Sequence, residues 1–274
     1  MSRTIAALLI AAPLALGGCG PKSGPSHVDP NAFAWSGEVP AEQWIHLRNV
    51  TGQVTVVAAD SSIVEVRATR RWRGRDRGGV HFVRRATDDG IIICTLYRQA
   101  EDCSLGADSG GSRKGGFNPL DLIRGGSHTS VDYIVRVPSG VKVDIGTISG
   151  PIGIADVTSA VKAETVNGKV QVATRNGPVQ ATSVNGDVSV AIESLTYPGD
   201  IELATVNGSV TAQLPASLQA NLSMETVNGS ASSDYEVTGN DTSTRKEIRG
   251  LIGGGGRRIS LETVNGSVTL RRGS

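Results

Sequence analysis

Apolar and polar residues alternate along most of this chain with a period of two. Such alternation is typical of β-strands, because successive side chains of a strand point to opposite faces. It occurs in four short β-branched runs between residues 37 and 103, and it becomes regular from Val131 onwards. The N-terminal apolar run differs, because its apolar residues are continuous and do not alternate with polar ones. The pattern therefore predicts an all-β protein.

A short motif, Thr-Val-Asn-Gly, recurs within the alternating region. It ends in full at Gly168, Gly208, Gly229 and Gly266, and looser copies include Ser183–Gly186. Counting the looser copies, the intervals between turn glycines are 18, 9, 9, 22, 21 and 37 residues, for Gly150, Gly168, Gly177, Gly186, Gly208, Gly229 and Gly266. A fixed period of this kind indicates a repeat architecture whose unit is about 9 residues, commonly doubled.

Two architectures satisfy the repeat, because Asn-Gly supplies the positive φ that a sharp corner needs. In an antiparallel meander or sandwich, Asn-Gly makes a tight hairpin. In a right-handed parallel β-solenoid, it turns a corner and equivalent strands stack in parallel. The near-identity of the copies favours the solenoid, since stacked Asn side chains satisfy one another's amides. The expected turn and ladder residues are Asn167, Gly168, Asn185, Gly186, Asn207, Gly208, Asn228, Gly229, Asn265 and Gly266.

The first nineteen residues have the features of a secretory signal. Arg3 precedes the apolar run from Ile5 to Leu16, which is too short for a stable membrane-spanning helix of ~20 residues. The following Leu-Gly-Gly-Cys resembles the lipobox of bacterial lipoproteins, whose cysteine is diacylated and becomes the new N-terminus. The resemblance implies a signal peptide over residues 1–18 and a lipid on Cys19, and Gly20 in place of Asp favours the outer membrane. An ordinary signal peptide with a cysteine nearby is the alternative.

The remaining cysteines predict a disulfide. Once Cys19 carries lipid, Cys94 and Cys103 are left as an even pair, and nearby cysteines usually pair in an oxidising compartment. Two reduced thiols are the alternative. No His or further Cys stands at metal-ligand spacing, so neither a metal site nor a cofactor is expected.

Composition divides the chain into four segments. Residues 19–36 are rich in Gly, Pro and Ser and predict a flexible tether. Residues 37–130 form an N-terminal β region that ends in a Gly-rich surface loop over 104–130. Residues 131–272 form the repeat solenoid, which we expect to be continuous with the N-terminal β region. A separate cap formed by residues 37–103 is the alternative.

An arginine-rich stretch is the sharpest charge feature. The formal net charge is +1, which gives no reason to expect nucleic acid as a partner. The stretch predicts an anion-binding surface, because Arg suits bidentate contacts with phosphate or carboxylate. A solvated and partly paired strand face is the alternative. The candidate residues are Arg70, Arg71, Arg73, Arg75 and Arg77.

The repeated Thr-Val-Asn-Gly-x-Val units resemble those of a bacterial adhesin-like family, catalogued as domain of unknown function 4097. The segment from Val131 resembles that family's entry into the repeats, and Gly90–Tyr97 with a second Cys soon after is also similar. The likeness covers most of residues 45–272. It implies an exported β-helical domain, and it implies no catalytic residues because the family has no established reaction.

The sequence predicts a non-enzymatic function. We expect a lipid-anchored scaffold or adhesin-like module of the cell envelope, which contacts membrane lipid through Cys19 and an envelope protein or glycan. The alternative is a β-helical carbohydrate-active enzyme that acts on a polysaccharide. The repeat region has only Tyr133, Tyr197 and Tyr235 as aromatic residues and no His after His128, which argues against sugar-processing chemistry. No catalytic motif such as His-Glu-x-x-His is present.

The N-terminus of the mature protein tests the anchor. We expect the membrane-extracted chain to begin at an acylated Cys19, and to be lighter by two hydrogens because of the Cys94–Cys103 bond. Intact mass spectrometry before and after reduction measures both. A chain without lipid and with free thiols would contradict both expectations.

Overall fold

The computed structural model describes residues 26–73, 79–97, 103, 129–243 and 245–273. Within these residues the chain forms strands and turns without a helix, which confirms the predicted all-β class. It follows that none of the described segments is a helix long and apolar enough to cross a membrane. Residues 1–18, Cys19, Arg75, Arg77 and loop residues 104–128 lie outside the described residues.

The strands, in chain order, are β1 (Ser26–Gly37), β2 (Trp44–Arg48), β3 (Val54–Ala58), β4 (Val64–Arg73), β5 (Val80–Thr87), β6 (Gly90–Tyr97), β7 (Ser130–Val137), β8 (Lys142–Ser149), β9 (Ile152–Val157), β10 (Val161–Asn167), β11 (Val170–Asn176), β12 (Val179–Asn185), β13 (Val188–Ser194), β14 (Ile201–Asn207), β15 (Val210–Leu214), β16 (Ala220–Asn228), β17 (Ala231–Ser233), β18 (Thr238–Ser243), β19 (Glu247–Ile252), β20 (Arg257–Asn265) and β21 (Val268–Arg272).

Two long sheets share one apolar core. Sheet A has the order β1-β4-β7-β3-β9-β11-β13-β15-β21-β17, and sheet B has the order β18-β19-β16-β20-β14-β12-β10-β8-β2-β6-β5. The central strands of both sheets pair in parallel and in register, so that Val161 of β10 lies beside Val179 of β12. Parallel pairing excludes the antiparallel meander and confirms the β-solenoid.

Each coil consists of one strand of sheet B, a corner and one strand of sheet A. The coils in chain order are β2/β3, β6/β7, β8/β9, β10/β11, β12/β13, β14/β15, β16/β17 and β20/β21. The N-terminal β region lies in the same stack as the repeats, because β2 pairs with β8 and β3 pairs with β9 in parallel.

The stacking order departs from the chain order at both ends. The β6/β7 coil lies outside β2/β3, and the last coil, β20/β21, lies between β14/β15 and β16/β17. Antiparallel strands extend the stack beyond the outer coils: β4 and β1 in sheet A, β5 in sheet B, and β19 and β18 at the other end of sheet B. The C-terminal strands are therefore interior strands with a neighbour on each side.

The core is thin and consists mainly of columns of valine, isoleucine and leucine. In sheet B, for example, Ile201 lies beside Ile259, and both are fully buried. The largest fully buried side chain is Tyr133, whose hydroxyl is hydrogen-bonded to that of Thr95. Small and β-branched side chains are sufficient to fill this core, because each coil contributes only the inward faces of its two strands.

The first described strand shortens the predicted tether. Residues 26–36, which the composition assigned to a flexible segment, lie in β1 and pair antiparallel with β4. Phe33 and Trp35 of this strand pack against the main core. Pro30 is tolerated at the register shift between Asp29 and Phe33, where the ladder is already interrupted. Tertiary burial of two aromatic side chains outweighs the loop-like composition.

The corner glycines are required by close approach of the backbone. A Cβ on Gly168 would lie 2.1 Å from the carbonyl oxygen of Gly150 in the preceding coil, and one on Gly208 would lie 2.3 Å from that of Gly186. Neither Gly168 nor Gly208 is in the left-handed region. The predicted positive φ is found at Gly186 (156°) and Gly266 (152°) but not at Gly168 or Gly208, where the close approach of the neighbouring backbone is the constraint.

Replacing a corner glycine tests this constraint. We expect Gly168→Ala to lower the free energy of unfolding by more than ~2 kcal/mol, because the added methyl group overlaps a backbone that has no freedom to move. Gly153→Ala is the matched control, since a Cβ there meets nothing within 4 Å. It should leave the stability within ~1 kcal/mol of the parent or raise it. Equilibrium denaturant unfolding measures both, and equal effects would contradict the steric explanation.

Candidate functional site: the Asn-Gly edge

Five asparagine side chains form a continuous ladder along the corner from sheet B to sheet A. Four hydrogen bonds of 2.8–2.9 Å link them, each from the Nδ2 of one asparagine to the Oδ1 of the asparagine in the neighbouring coil, and Asn167 at the end of the ladder only accepts. The ladder runs in stacking order, through Asn167, Asn185, Asn207, Asn265 and Asn228. The structure thus brings together all five of the asparagines that the sequence identified. We name this corner the Asn-Gly edge.

Buried hydroxyl groups support the edge from inside. The Thr205 Oγ1 donates a 2.8 Å hydrogen bond to the carbonyl oxygen of Gly186, and Thr263 bonds to Gly208 in the same way. Thr165, Ser183 and Thr226 repeat the contact in their own coils. Backbone amides continue the parallel ladder around the corner. The polar groups of a tight turn are therefore satisfied without water, which makes the edge rigid.

An apolar ridge runs beside the asparagine ladder. The motif valine lies between an inward threonine and the asparagine, and its side chain faces solvent. These valines are between 36% and 51% exposed: Val166, Val184, Val206, Val264 and Val227. Val50 and Ile148 occupy the same position in the two preceding coils and are half-buried. Together these seven residues form what we call the apolar ridge, which extends for roughly 29 Å at the ~4.8 Å spacing of strands.

The ridge was missed in the sequence because the valine was counted as part of the turn. Its repetition at one position of the motif was the available signal. On the sheet A side of the same edge lies a shallow groove of about 300 Å³, lined by polar and charged side chains that include Lys169, Asp187, Gln171 and Thr211. Apolar and polar strips therefore run side by side along the edge.

The disulfide joins a segment to the outer face of sheet B. Cys94 and Cys103 are bonded, with their Cα atoms 5.8 Å apart. They are buried with Leu96 in a small apolar cluster that is separate from the main core. Val83 and Ile92 pack against this small cluster. Ile93 of the same strand points the other way, into the main core. The bond therefore places Cys103 over the outer face of β6.

The structure does not bring the candidate arginines together. Arg71 and Arg73 are exposed, whereas Arg70 lies on the other face of β4 with its guanidinium 4.9 Å from the Trp72 ring centroid. Arg71 is paired with Asp132 at 2.7 Å. Because consecutive residues of a strand point to opposite faces, a run of neighbouring arginines is divided between the two. Arg71 and Arg73 thus share an exposed face while Arg70 lies on the opposite one, and the anion-binding surface stays a prediction.

An ionic cluster on the outer face of sheet B was not predicted. The Asp144 carboxylate lies 2.7 Å from Nδ1 of His46 and 2.5 Å from the guanidinium of Arg48. The other imidazole nitrogen, Nε2, lies 3.2 Å from the Asp89 carboxylate. Gly146 stands in register with Arg48 and leaves room for its side chain. Both imidazole nitrogens are therefore in contact with a carboxylate, and the cluster links β2 to β8 and to the turn between β5 and β6.

The pKa of Asp144 reflects this cluster. Burial raises the pKa of the carboxyl, but the hydrogen bonds from His46 and Arg48 together outweigh burial and hold the pKa below its usual range. Asp144 is therefore ionised in the folded protein at neutral pH.

The glutamates before the motif form no metal site. Glu225 and Glu262 are neighbours in register, but Glu164 is separated from Glu262 by Thr182 and Ala204. Glu225 is paired with Arg249 at 3.3 Å. Across the residues that the structure describes, no group of three His, Cys, Asp or Glu side chains is placed to hold a metal ion.

Comparisons with known proteins agree with the fold. A family model described as Toastrack DUF4097 matches residues 85–271. The chain is similar to a candidate cell adhesion protein from Clostridium sporogenes, with 10% identity, coverage of 92% of this chain and 100% of that chain, and a TM-score of 0.46. A candidate adhesin from Bacteroides fragilis has 10% identity, coverage of 88% and 96%, and a TM-score of 0.31. No curated protein matches the chain. With both TM-scores below 0.5, neither likeness bears on what this chain binds.

Acid titration tests the ionic cluster. Because the pKa of Asp144 is lowered in the folded protein, its ionised form stabilises the fold above the ordinary Asp value of about 3.9, and this contribution is lost as the pH falls through the folded pKa. We expect Asp144→Asn to cost about 1–3 kcal/mol at neutral pH, and less as the pH drops below about 4. Denaturant unfolding across this pH range measures the difference, with exposed Glu164→Gln as control. A pH-independent cost would contradict the assignment.

Proposed function

This chain belongs to the Toastrack DUF4097 family, and from that premise we propose that it is a non-enzymatic interaction module of the cell envelope, with the Asn-Gly edge as its contact surface. The observation that carries the proposal is the apolar ridge. A contiguous exposed apolar strip bordered by polar residues is typical of a surface that binds a partner.

The fold itself does not require valine on the ridge. A threonine would also suit an exposed strand position, because both residues are β-branched and favour extended backbone. The chain instead places an apolar residue there in seven coils. Rigidity adds to the argument: the asparagine ladder and the backbone hydrogen bonds hold these side chains at fixed spacing. A preorganised surface loses little conformational entropy on binding.

The ionisable clusters support a non-catalytic role. Asp144 is held by His46 and Arg48, and Glu225 is held by Arg249. A general acid or base needs a proton that it can exchange with substrate, whereas these carboxylates are occupied by cations of the protein. Pairing of this kind serves the stability of the coils.

The resemblance to a lipobox adds a membrane anchor at Cys19 to the proposed function. If Cys19 is acylated, seven residue steps separate the lipid from Ser26, the first residue of β1. Fully extended, they reach at most about 25 Å. The β1 end of the solenoid would then stand close to the membrane, and the Asn-Gly edge would face other components of the envelope. We propose the outer membrane as the location.

Site-specific photocrosslinking in intact cells tests the contact surface. A photoreactive phenylalanine analogue in place of Val206, at the centre of the ridge, should give adducts with a discrete envelope component after irradiation. The same analogue in place of Ala191, on the outer face of sheet A, is the control and should give few. Adducts from neither position, or equally from both, would argue against the ridge as the contact surface.

A further inference from the structure

A second group of side chains converges on the outer face of sheet B, away from the Asn-Gly edge. Its centre is Trp44, the first residue of β2, whose indole is partly exposed and lies on the same face as His46 and Arg48. The residue paired with it on β6 is Gly90, which has no side chain to cover the ring. The indole stacks with the His46 imidazole, with 6.1 Å between the two ring centroids.

Two ammonium groups flank the ring. The Nζ of Lys142 lies 5.8 Å from the Trp44 ring centroid, and the Nζ of Lys162 lies 5.2 Å from it. Lys142 is neutralised by Glu42, whose carboxylate is 3.0 Å away. Within the part of the chain that the structure describes, Lys162 has no carboxylate partner of its own. One positive charge beside the indole is thus left for a ligand.

Both the backbone and the carboxylate of Glu42 are held by neighbouring groups. Its φ is 68°, in the left-handed region that a residue with a side chain rarely adopts, and its amide donates a 2.8 Å hydrogen bond to the Gly140 carbonyl. Its carboxylate accepts a hydrogen bond from the Tyr197 hydroxyl, and this bond and that from Lys142 lower its pKa. Strained backbone that the surroundings enforce is found more often at functional positions than elsewhere.

We propose that Trp44 and Lys162 form a binding site for a saccharide that contains uronic acid. The apolar face of one sugar ring lies on the indole, and its carboxylate pairs with the Lys162 ammonium. Lys142, fixed by Glu42 and Tyr197, completes the wall. The inference rests on the proposed function and gives it a ligand class.

The chemistry of the site favours an acidic sugar over other anions. A bare phosphate has no apolar face to use the indole, and a neutral sugar has no use for an unpaired ammonium. Along the stack, Lys162 is followed by Gln180 and then by Glu202, while Glu164 lies in the next column. These carboxylates repel a polyanion that runs along the axis, so the site takes a short stretch or an end of the saccharide.

Calorimetric titration of the detergent-solubilised full-length protein tests the proposal. The probe is trigalacturonate, and its methyl ester has the same rings without the charge. We expect the acid to bind, the ester to bind at least tenfold more weakly, and Lys162→Gln to weaken binding of the acid at least tenfold. Arg271→Gln, on the outer face of sheet A and outside both proposed sites, is the matched control and should bind like the parent.

Trp44→Leu should also weaken binding of the acid at least tenfold, provided that its thermal unfolding midpoint matches that of the parent. If the midpoint is lower, the result with Lys162→Gln is used to test the proposal. The proposal is overturned if the parent does not bind the acid, if acid and ester bind equally, or if Lys162→Gln and Arg271→Gln behave alike. Crosslinking from Val206 is read separately in cells. If crosslinking fails while the saccharide still binds, only the proposed role of the apolar ridge is contradicted. If crosslinking succeeds while the saccharide does not bind, only the proposed Trp44 site is contradicted.

Discussion

Contact between glycine backbones at the corners is the constraint on which the rest of the solenoid depends. At each corner of the Asn-Gly edge the glycine lies so close to the glycine carbonyl of the neighbouring coil that even a methyl group does not fit. This approach sets the coils in register at strand spacing. Once register is set, the Thr205 hydroxyl reaches the Gly186 carbonyl of the previous corner, and the Asn207 amide reaches Asn185 of that same corner. The polar ladders are therefore consequences of a steric requirement.

Strict register has a further effect, because it turns each position of the repeat into a column. Inward columns form the core, and outward columns form surfaces whose chemistry is repeated from coil to coil. The same stacking that produces the asparagine ladder also aligns the exposed valines of the apolar ridge. A repeat protein of this kind gains an extended and rigid binding surface without devoting a separate element to it.

Side chains that make ionic and aromatic contacts of their own lie mainly where the repeat pattern is interrupted. In the coils near the N-terminus the outward positions of β2 are Trp44, His46 and Arg48, and these coils hold the ionic cluster around Asp144. The disulfide covers the adjacent outer face of β6. At the other end, insertion of the last coil between two earlier ones leaves the chain's final strands paired on both sides, so that the open edges are formed by other strands.

The amino-acid sequence by itself determined the strand content, the parallel stacking and the residues of the asparagine ladder. These follow from local alternation and from the identity of the repeats, because like residues stack only if successive coils are in register. The pairing of Cys94 with Cys103 is equally local, because the partners are nine positions apart in the sequence.

Only the tertiary structure decided the rest. The order of the end coils, the division of Arg70 and Arg71 between two faces, and the meeting of His46 with Asp144 across 98 positions depend on which strands become neighbours. Residues 26–36 joined the sheet because distant aromatic contacts outweigh local composition. Strand neighbours in a non-repetitive region are chosen by the packing of the whole core, which no local pattern encodes.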